Sequence, residues 1–122
     1  IYLPRLFPDT SNRVHFALEQ GPLRKNRFGI LEPDMRAAVR PAKQLSVVLM
    51  PLVGFDRAGN RLGMGGGFYD RSFAFKHQLP ASRPLLIGLA HSCQQVDSLP
   101  TEAWDTPVDY IVTEREVIRC RA

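Results

Sequence analysis

The run Leu45-Ser46-Val47-Val48-Leu49-Met50-Pro51-Leu52-Val53 constrains the fold more than any other stretch of this sequence. It is β-branched and aliphatic almost without a break. A strand with apolar residues on both sides suits a buried parallel strand and not a one-sided edge. Pro84 to Ala90 and Val108 to Thr113 read as two more buried strands, Val14 to Leu18 as a short one, and Glu116 to Arg119 as a brief last one. Between the first run and Pro84 come a tight turn, Asp56 to Asn60, and a segment with four glycines in five positions, Gly63 to Gly67. Phe68 to Lys76 then continues as a helix, with Tyr69, Phe73 and the stem of Lys76 turned toward a core. Strand, glycine loop, helix and strand in that order is the rhythm of an open, mostly parallel α/β sheet with flanking helices. Ligands gather beyond the carboxyl ends of such strands, and segment 54–70 falls at that rim.

The 122 residues, 44% of them hydrophobic, are enough for one small α/β domain with a real core, spanning 1–122. No apolar run approaches the ~20 residues of a membrane span. Ile1-Tyr2-Leu3-Pro4 reads like the end of a buried strand. With no initial Met and no signal-like stretch, the chain reads as the C-terminal part of a longer protein. Cys93 and Cys120 form no metal spacing, which suits a reduced cytoplasmic setting with Cys93 as a small core residue. His15, His77 and His91 do not cluster in sequence. Trp104 reads as a packing residue under the loop from Pro100 to Asp105.

Charge narrows the partners. Sixteen Lys and Arg stand against twelve Asp and Glu, and thirteen of the sixteen are Arg. Arg offers a planar fork of donors suited to phosphate and carboxylate. There is no basic run, no zinc-finger spacing and no aromatic RNP-like pattern, which argues against nucleic acid.

The segment Arg61-Leu62-Gly63-Met64-Gly65-Gly66-Gly67-Phe68-Tyr69-Asp70-Arg71 carries the chemistry. Glycines let backbone N–H groups approach an anion, and flanking arginines with a following carboxylate suit a phosphate with its Mg²⁺. The spacing is neither a Walker A loop nor GxGxxG, since no GK[ST] follows and position 68 is Phe. On the residues alone three readings stand. One is an ATP-using enzyme. The second is a sugar-phosphate or acyl-group enzyme whose loop binds phosphate without ATP. The third is a non-enzymatic nucleotide- or RNA-binding module. Arg61 could instead form a surface salt bridge with Asp56, Asp70 could serve the start of a helix, and Asp109 could be a solvated strand-end carboxylate.

The combination of Met50-Pro51-Leu52-Val53-Gly54-Phe55-Asp56, Gly59-Asn60-Arg61-Leu62-Gly63 and Gly65-Gly66-Gly67-Phe68-Tyr69-Asp70 resembles the 5-formyltetrahydrofolate cyclo-ligase family, also called methenyltetrahydrofolate synthetases. Asn26 to Pro33 and Trp104 to Asp109 extend the resemblance over nearly the whole chain. It covers the C-terminal two thirds of a typical member.

The resemblance implies a Rossmann-like three-layer fold and conversion of 5-formyltetrahydrofolate to 5,10-methenyltetrahydrofolate with ATP and Mg²⁺. The formyl oxygen attacks the γ-phosphate, N10 attacks the resulting imidoyl phosphate, and phosphate leaves. It places the ATP loop on Arg61, Leu62, Gly63, Met64, Gly65, Gly66, Gly67, Phe68 and Tyr69. It gives Asp70 and Asp109 to Mg²⁺, and puts Phe28 in the folate pocket, where an aromatic face stacks on a flat pterin. It implies small-molecule partners only, folate and ATP, with neither nucleic acid nor membrane, and a monomer at full length. Members carry an N-terminal helix whose cations reach the ATP phosphates, so residues 1–122 alone are expected to have little activity. No general acid or base is named, and His91, near a strand end, reads as structural.

Overall fold

Residues 1–6, 12–63, 67–79 and 81–120 are described by a computed structural model. The first half is antiparallel. Strands β1 (Tyr2–Leu6) and β2 (Val14–Leu18) pair in register from Tyr2 opposite Leu18 to Leu6 opposite Val14. Strands β3 (Leu23–Lys25) and β4 (Leu31–Pro33) form a separate hairpin, and β5 (Val39–Arg40) returns to the free edge of β2. The sequence did not point to the β3–β4 hairpin, because its strands do not alternate. A side chain makes its turn: Asn26 Oδ1 accepts the N–H groups of Phe28 and Ile30 at 2.8 and 3.2 Å. Glu32, almost wholly buried, ties this hairpin to β1 by accepting the Leu6 N–H at 3.0 Å while pairing with Arg24 at 3.2 Å.

The second half builds the larger sheet. After β6 (Val47–Met50) comes a two-stranded hairpin, β7 (Gly54–Phe55) and β8 (Arg61–Leu62). Helix α1 (Phe68–Ser72) follows, and a 3₁₀ turn at Ala74–His77. Strands β9 (Leu85–Leu89), β10 (Tyr110–Val112) and β11 (Val117–Arg119) complete a sheet of order β11-β10-β9-β6. The contacts of β9 with β6 and with β10 are parallel, and β11 is antiparallel to β10. The expected run from Leu45 to Val53 is a strand only over Val47–Met50; Pro51 has no N–H to give to a ladder.

One face of this sheet is the core. Val48, Met50, Leu86, Ile111 and Ile118 point into it and meet Phe16, Phe55, Phe73 and Val108. Phe73 follows α1 and is completely buried, its ring 5.7 Å from Phe16 and stacked at 6.4 Å on Tyr69. Ser72 fixes α1 to β2, its hydroxyl donating to the Phe68 carbonyl and accepting the Val14 N–H at 3.1 Å. Lys76 is buried by its stem as expected, and Nζ donates to the carbonyls of Ser82 and Pro84. All of this packing lies on one side. No helix among the described residues is long and apolar enough to cross a membrane.

Candidate nucleotide and folate site

The turn from Asp56 to Asn60 sets the entry to the glycine segment. Asp56 Oδ1 accepts the N–H groups of Ala58 and Asn60, and Oδ2 accepts from the Asn60 side chain and the Leu99 N–H. Burial pushes this carboxyl's pKa up, but the hydrogen bonds together outweigh it and hold the group below its ordinary value. Gly59 has φ +92°, and a Cβ there would lie 2.5 Å from the Val108 carbonyl oxygen and 2.9 Å from Cys120 Cβ. Only glycine fits. The turn is thereby locked against the start of β10, and Asp56 is fully engaged within it.

Arg61 therefore does not pair with Asp56. Its side chain is 6% exposed and turns toward Asp70, with Nη2 3.7 Å from Oδ1. Nη1 donates to the Pro51 carbonyl at 3.3 Å, and the guanidinium lies 5.7 Å from the centre of the Tyr69 ring. Nε is buried and bonded to nothing. Burial lowers the guanidinium's pKa, opposed by Asp70, Tyr69 and Asp105. Burial also raises the Tyr69 hydroxyl, with Arg61 pulling the other way. Gly63 leaves room for this arrangement, since a Cβ there would sit 3.2 Å from Arg61 Nη1.

Gly67 starts α1 in the left-handed region at φ +69°. Asp70 stands in the first turn, where Oδ1 accepts the Thr106 N–H at 2.9 Å. Asp70 also lines an open cleft of about 580 Å³ with Gly67, Arg71, Ala74, His77 and Trp104. Trp104 is not packed under its loop; it is 66% exposed at the cleft wall. His77 Nε2 lies 3.4 Å from the Thr106 hydroxyl. Neither Thr106 nor His77 was singled out in the sequence. Thr106 reaches Asp70 across 36 positions and His77 across 29, and no local pattern announces either contact.

Phe28, the expected folate contact, is exposed on the β3–β4 turn and meets Phe68 edge-on at 6.0 Å. The Arg27 guanidinium lies over both rings, at 5.0 and 5.8 Å. The fold thus brings the aromatic of the first half against the first residue of α1, 40 positions on. Leu62 is exposed in β8. Met64, Gly65 and Gly66 lie outside the described residues.

Asp109 has a different setting. It is nearly buried just before β10, where Oδ2 accepts the Leu86 N–H at 2.8 Å. It is not a solvated strand-end carboxylate, and it does not line the cleft that Asp70 lines. Among the described residues no three of His, Cys, Asp and Glu group closely enough to hold an ion without other ligands. Cys93 is exposed and not a core residue. His91 precedes the turn Ser92–Gln94, its N–H donating to Gln94 Oε1 at 2.7 Å.

A family model described as the 5-formyltetrahydrofolate cyclo-ligase family matches residues 1–114. The chain belongs to that family. A 5-formyltetrahydrofolate cyclo-ligase of Haemophilus influenzae is 47% identical over 111 residues, which are 88% of this chain and 58% of the relative. One of Escherichia coli K12 is 42% identical over 120 residues, 96% of this chain and 64% of the relative. The NMR structure of Aquifex aeolicus 5,10-methenyltetrahydrofolate synthetase superposes with a TM-score of 0.76 at 35% identity, covering 99% of this chain and 58% of that one. This cyclo-ligase-family chain spans less than two thirds of the length of each.

Proposed function

We propose that the chain forms the glycine-loop half of an enzyme that uses ATP and Mg²⁺ to turn 5-formyltetrahydrofolate into 5,10-methenyltetrahydrofolate, releasing ADP and phosphate. The observation that carries this reading is the buried Arg61 guanidinium beside Asp70, with Nε lacking any partner. A desolvated cation with an unmet donor at the mouth of a glycine loop is arranged to receive an anion. Gly63 and Gly67, with Met64, Gly65 and Gly66 between them, would offer backbone N–H groups to the phosphates. Leu62, Phe68 and Tyr69 would border them.

Asp70 suits a hard cation, being an oxygen donor at the cleft. Mg²⁺ takes one or two carboxylates and completes its shell with phosphate oxygens and water. Asp109, which the resemblance pairs with Asp70, is nearly buried outside that cleft with one oxygen on the Leu86 amide, so the geometry supports Asp70 as the ion's carboxylate more than Asp109. When bound, the ion would neutralise charge on the phosphates. The chain's own task is positioning. Arg61 holds Asp70 and faces the phosphate, and Phe28 with Phe68 offers aromatic surface to the pterin. An amide oxygen leaves poorly, and its phosphorylation gives N10 a leaving group to displace. The same reading makes the complete protein a three-layered α/β monomer acting in the cytoplasm.

The test is the appearance of methenyl absorbance from 5-formyltetrahydrofolate, ATP and Mg²⁺. The 122-residue chain should be compared with a version extended to the family's length and with Asp70→Asn in that version. The extended protein should turn over and the other two should be weak or silent. Equal product without ATP would overturn the reading, as would undiminished turnover by Asp70→Asn.

A further inference from the structure

Transfer of phosphate from ATP to a formyl-pterin brings two flat heterocycles to one phosphate, the pterin and the purine. Two exposed aromatic surfaces flank the start of α1. One is Phe28 against Phe68, whose rings meet edge-on. The other is Trp104, the one tryptophan of the 122 residues, which stands largely exposed in the cleft that Asp70 lines. Phe68 and Asp70 are two positions apart in α1. Two residues turn a helix through about 200°, so the Phe28–Phe68 pair and the Asp70 cleft lie on opposite sides of it.

Backbone contacts fix where Trp104 stands. Asp105 Oδ2 accepts the Glu102 N–H at 2.9 Å, and the Asp105 N–H donates to the Glu102 carbonyl at 3.1 Å. Ala103 and Trp104 form the tip of that closed turn. Thr106 follows at once, its N–H on Asp70 Oδ1 at 2.9 Å and its hydroxyl 3.4 Å from the Asp70 carbonyl. The turn is thereby anchored to Asp70, and two residues of chain reach at most about 7 Å. The cleft is charged where it meets the glycine segment. Asp70 stands there, and the Arg71 guanidinium folds across Gly67 so closely that a Cβ on Gly67 would lie 2.6 Å from Nη1. Ala103 and Trp104 give the same cleft an apolar wall. Its volume, about 580 Å³, suits a small-molecule ligand. Charge at one part and a flat apolar face at another match a nucleotide's phosphates and base.

We propose that Trp104 is the platform on which the purine base of ATP stacks, with the triphosphate running from it toward Asp70 and the glycine segment. The assignment rests on the ATP reading above and adds a binding residue to it. The transferring phosphate lies between the two substrates. With the pterin at Phe28 and Phe68, the base extends to the other side of α1, where Trp104 is the large aromatic face of the cleft. An indole stacks on a base through its π-face and needs no further polar partner.

The test is calorimetric titration of the protein extended to the family's length. It compares a non-hydrolysable ATP analogue with inorganic tripolyphosphate, both with Mg²⁺. Trp104→Ala should weaken the analogue about tenfold, within the range of one base stacked on an aromatic ring, and leave tripolyphosphate unchanged. Trp104→Phe should restore most of the affinity and Trp104→Leu should not, which separates a stacking face from mere bulk and keeps the test usable if the alanine variant misfolds by circular dichroism. In turnover, Trp104→Ala should raise the KM for ATP and leave that for 5-formyltetrahydrofolate alone. Equal losses for the analogue and for tripolyphosphate would overturn the proposal, as would full affinity for the analogue without the ring. A KM rise confined to 5-formyltetrahydrofolate would also overturn it, giving the ring to the pterin. An extended protein that binds neither phosphate ligand would sink the ATP reading and this assignment together, whereas nucleotide binding indifferent to Trp104 sinks the assignment alone.

Discussion

Arg61 Nη2 stands 3.7 Å from Asp70 Oδ1, so the residues at the two ends of the glycine segment face each other. The pair sets opposite charges side by side at the flanks of the glycine segment. In a protein extended to the family's length, Arg61→Lys should weaken ATP binding about tenfold to a hundredfold. That is the range of one charge-assisted hydrogen bond, about 1.5–3 kcal/mol. A lysine keeps charge but not the fork. Calorimetric titration with a non-hydrolysable ATP analogue reads the effect, and unchanged affinity would remove Arg61 from the site.

Asp70→Asn separates the carboxylate's two tasks. The amide oxygen can still accept the Thr106 N–H, so the fold should hold and the melting temperature should move little. Dependence of nucleotide affinity on Mg²⁺ should shrink strongly, because the charge that draws the ion is gone. Titrations with and without Mg²⁺ check this; a fully retained Mg²⁺ effect would assign the ion elsewhere.

Phe28 is 58% exposed, and its ring contacts are with Arg27 and Phe68 at the surface. Phe28→Ala in the extended protein should therefore leave stability within about 0.5 kcal/mol. The KM for 5-formyltetrahydrofolate should rise several-fold while the KM for ATP stays put. A change in both would point to a general loosening at α1.

Gly59→Ala should be severe. The residue sits at φ +92°, and its added carbon would meet the Val108 carbonyl at 2.5 Å. A loss of at least about 2 kcal/mol is expected, measured by urea unfolding. A tolerated alanine would mean that the turn can move away from β10.

Glu114 gives a pH test. Hydrogen bonds from the Ser92 hydroxyl and N–H, each 2.7 Å, lower its pKa from 4.5 to about 2. A carboxyl depressed on folding contributes stability above its ordinary pKa and loses it as pH falls through the folded value. That contribution should be whole above pH 4.5 and fade toward pH 2. An NMR titration of the Glu114 side chain should find the low midpoint, and Ser92→Ala should raise it toward 4.5.

The aliphatic strands could be read from the sequence because their signal is local. Val47–Met50, Leu85–Leu89 and Tyr110–Val112 sit inside the expected runs and pair in parallel, but β6 is an edge strand and Val47 and Leu49 are about half exposed, so the expected burial on both faces holds on one face only. Lys76 was also legible, through its spacing from Phe73. The β3–β4 hairpin was not, since the Asn26 side chain makes its turn and no apolar alternation does. Trp104 misled because a large aromatic is usually packed, and its exposure depends on where the loop before Asp105 lies. The partnership of Asp70 with Thr106 joins residues far apart in the chain, so it exists only in the folded molecule.

That partnership has a mechanical side. The carboxylate that suits a cation is the same one that holds the backbone just ahead of β10. A cation arriving at Asp70 would compete with the Thr106 amide for electron density, and so the start of a central strand would register the charge state of the loop. If Asp70 takes the cation as proposed, the proton shift of the Thr106 amide should change, from inside the fold, when the ion arrives.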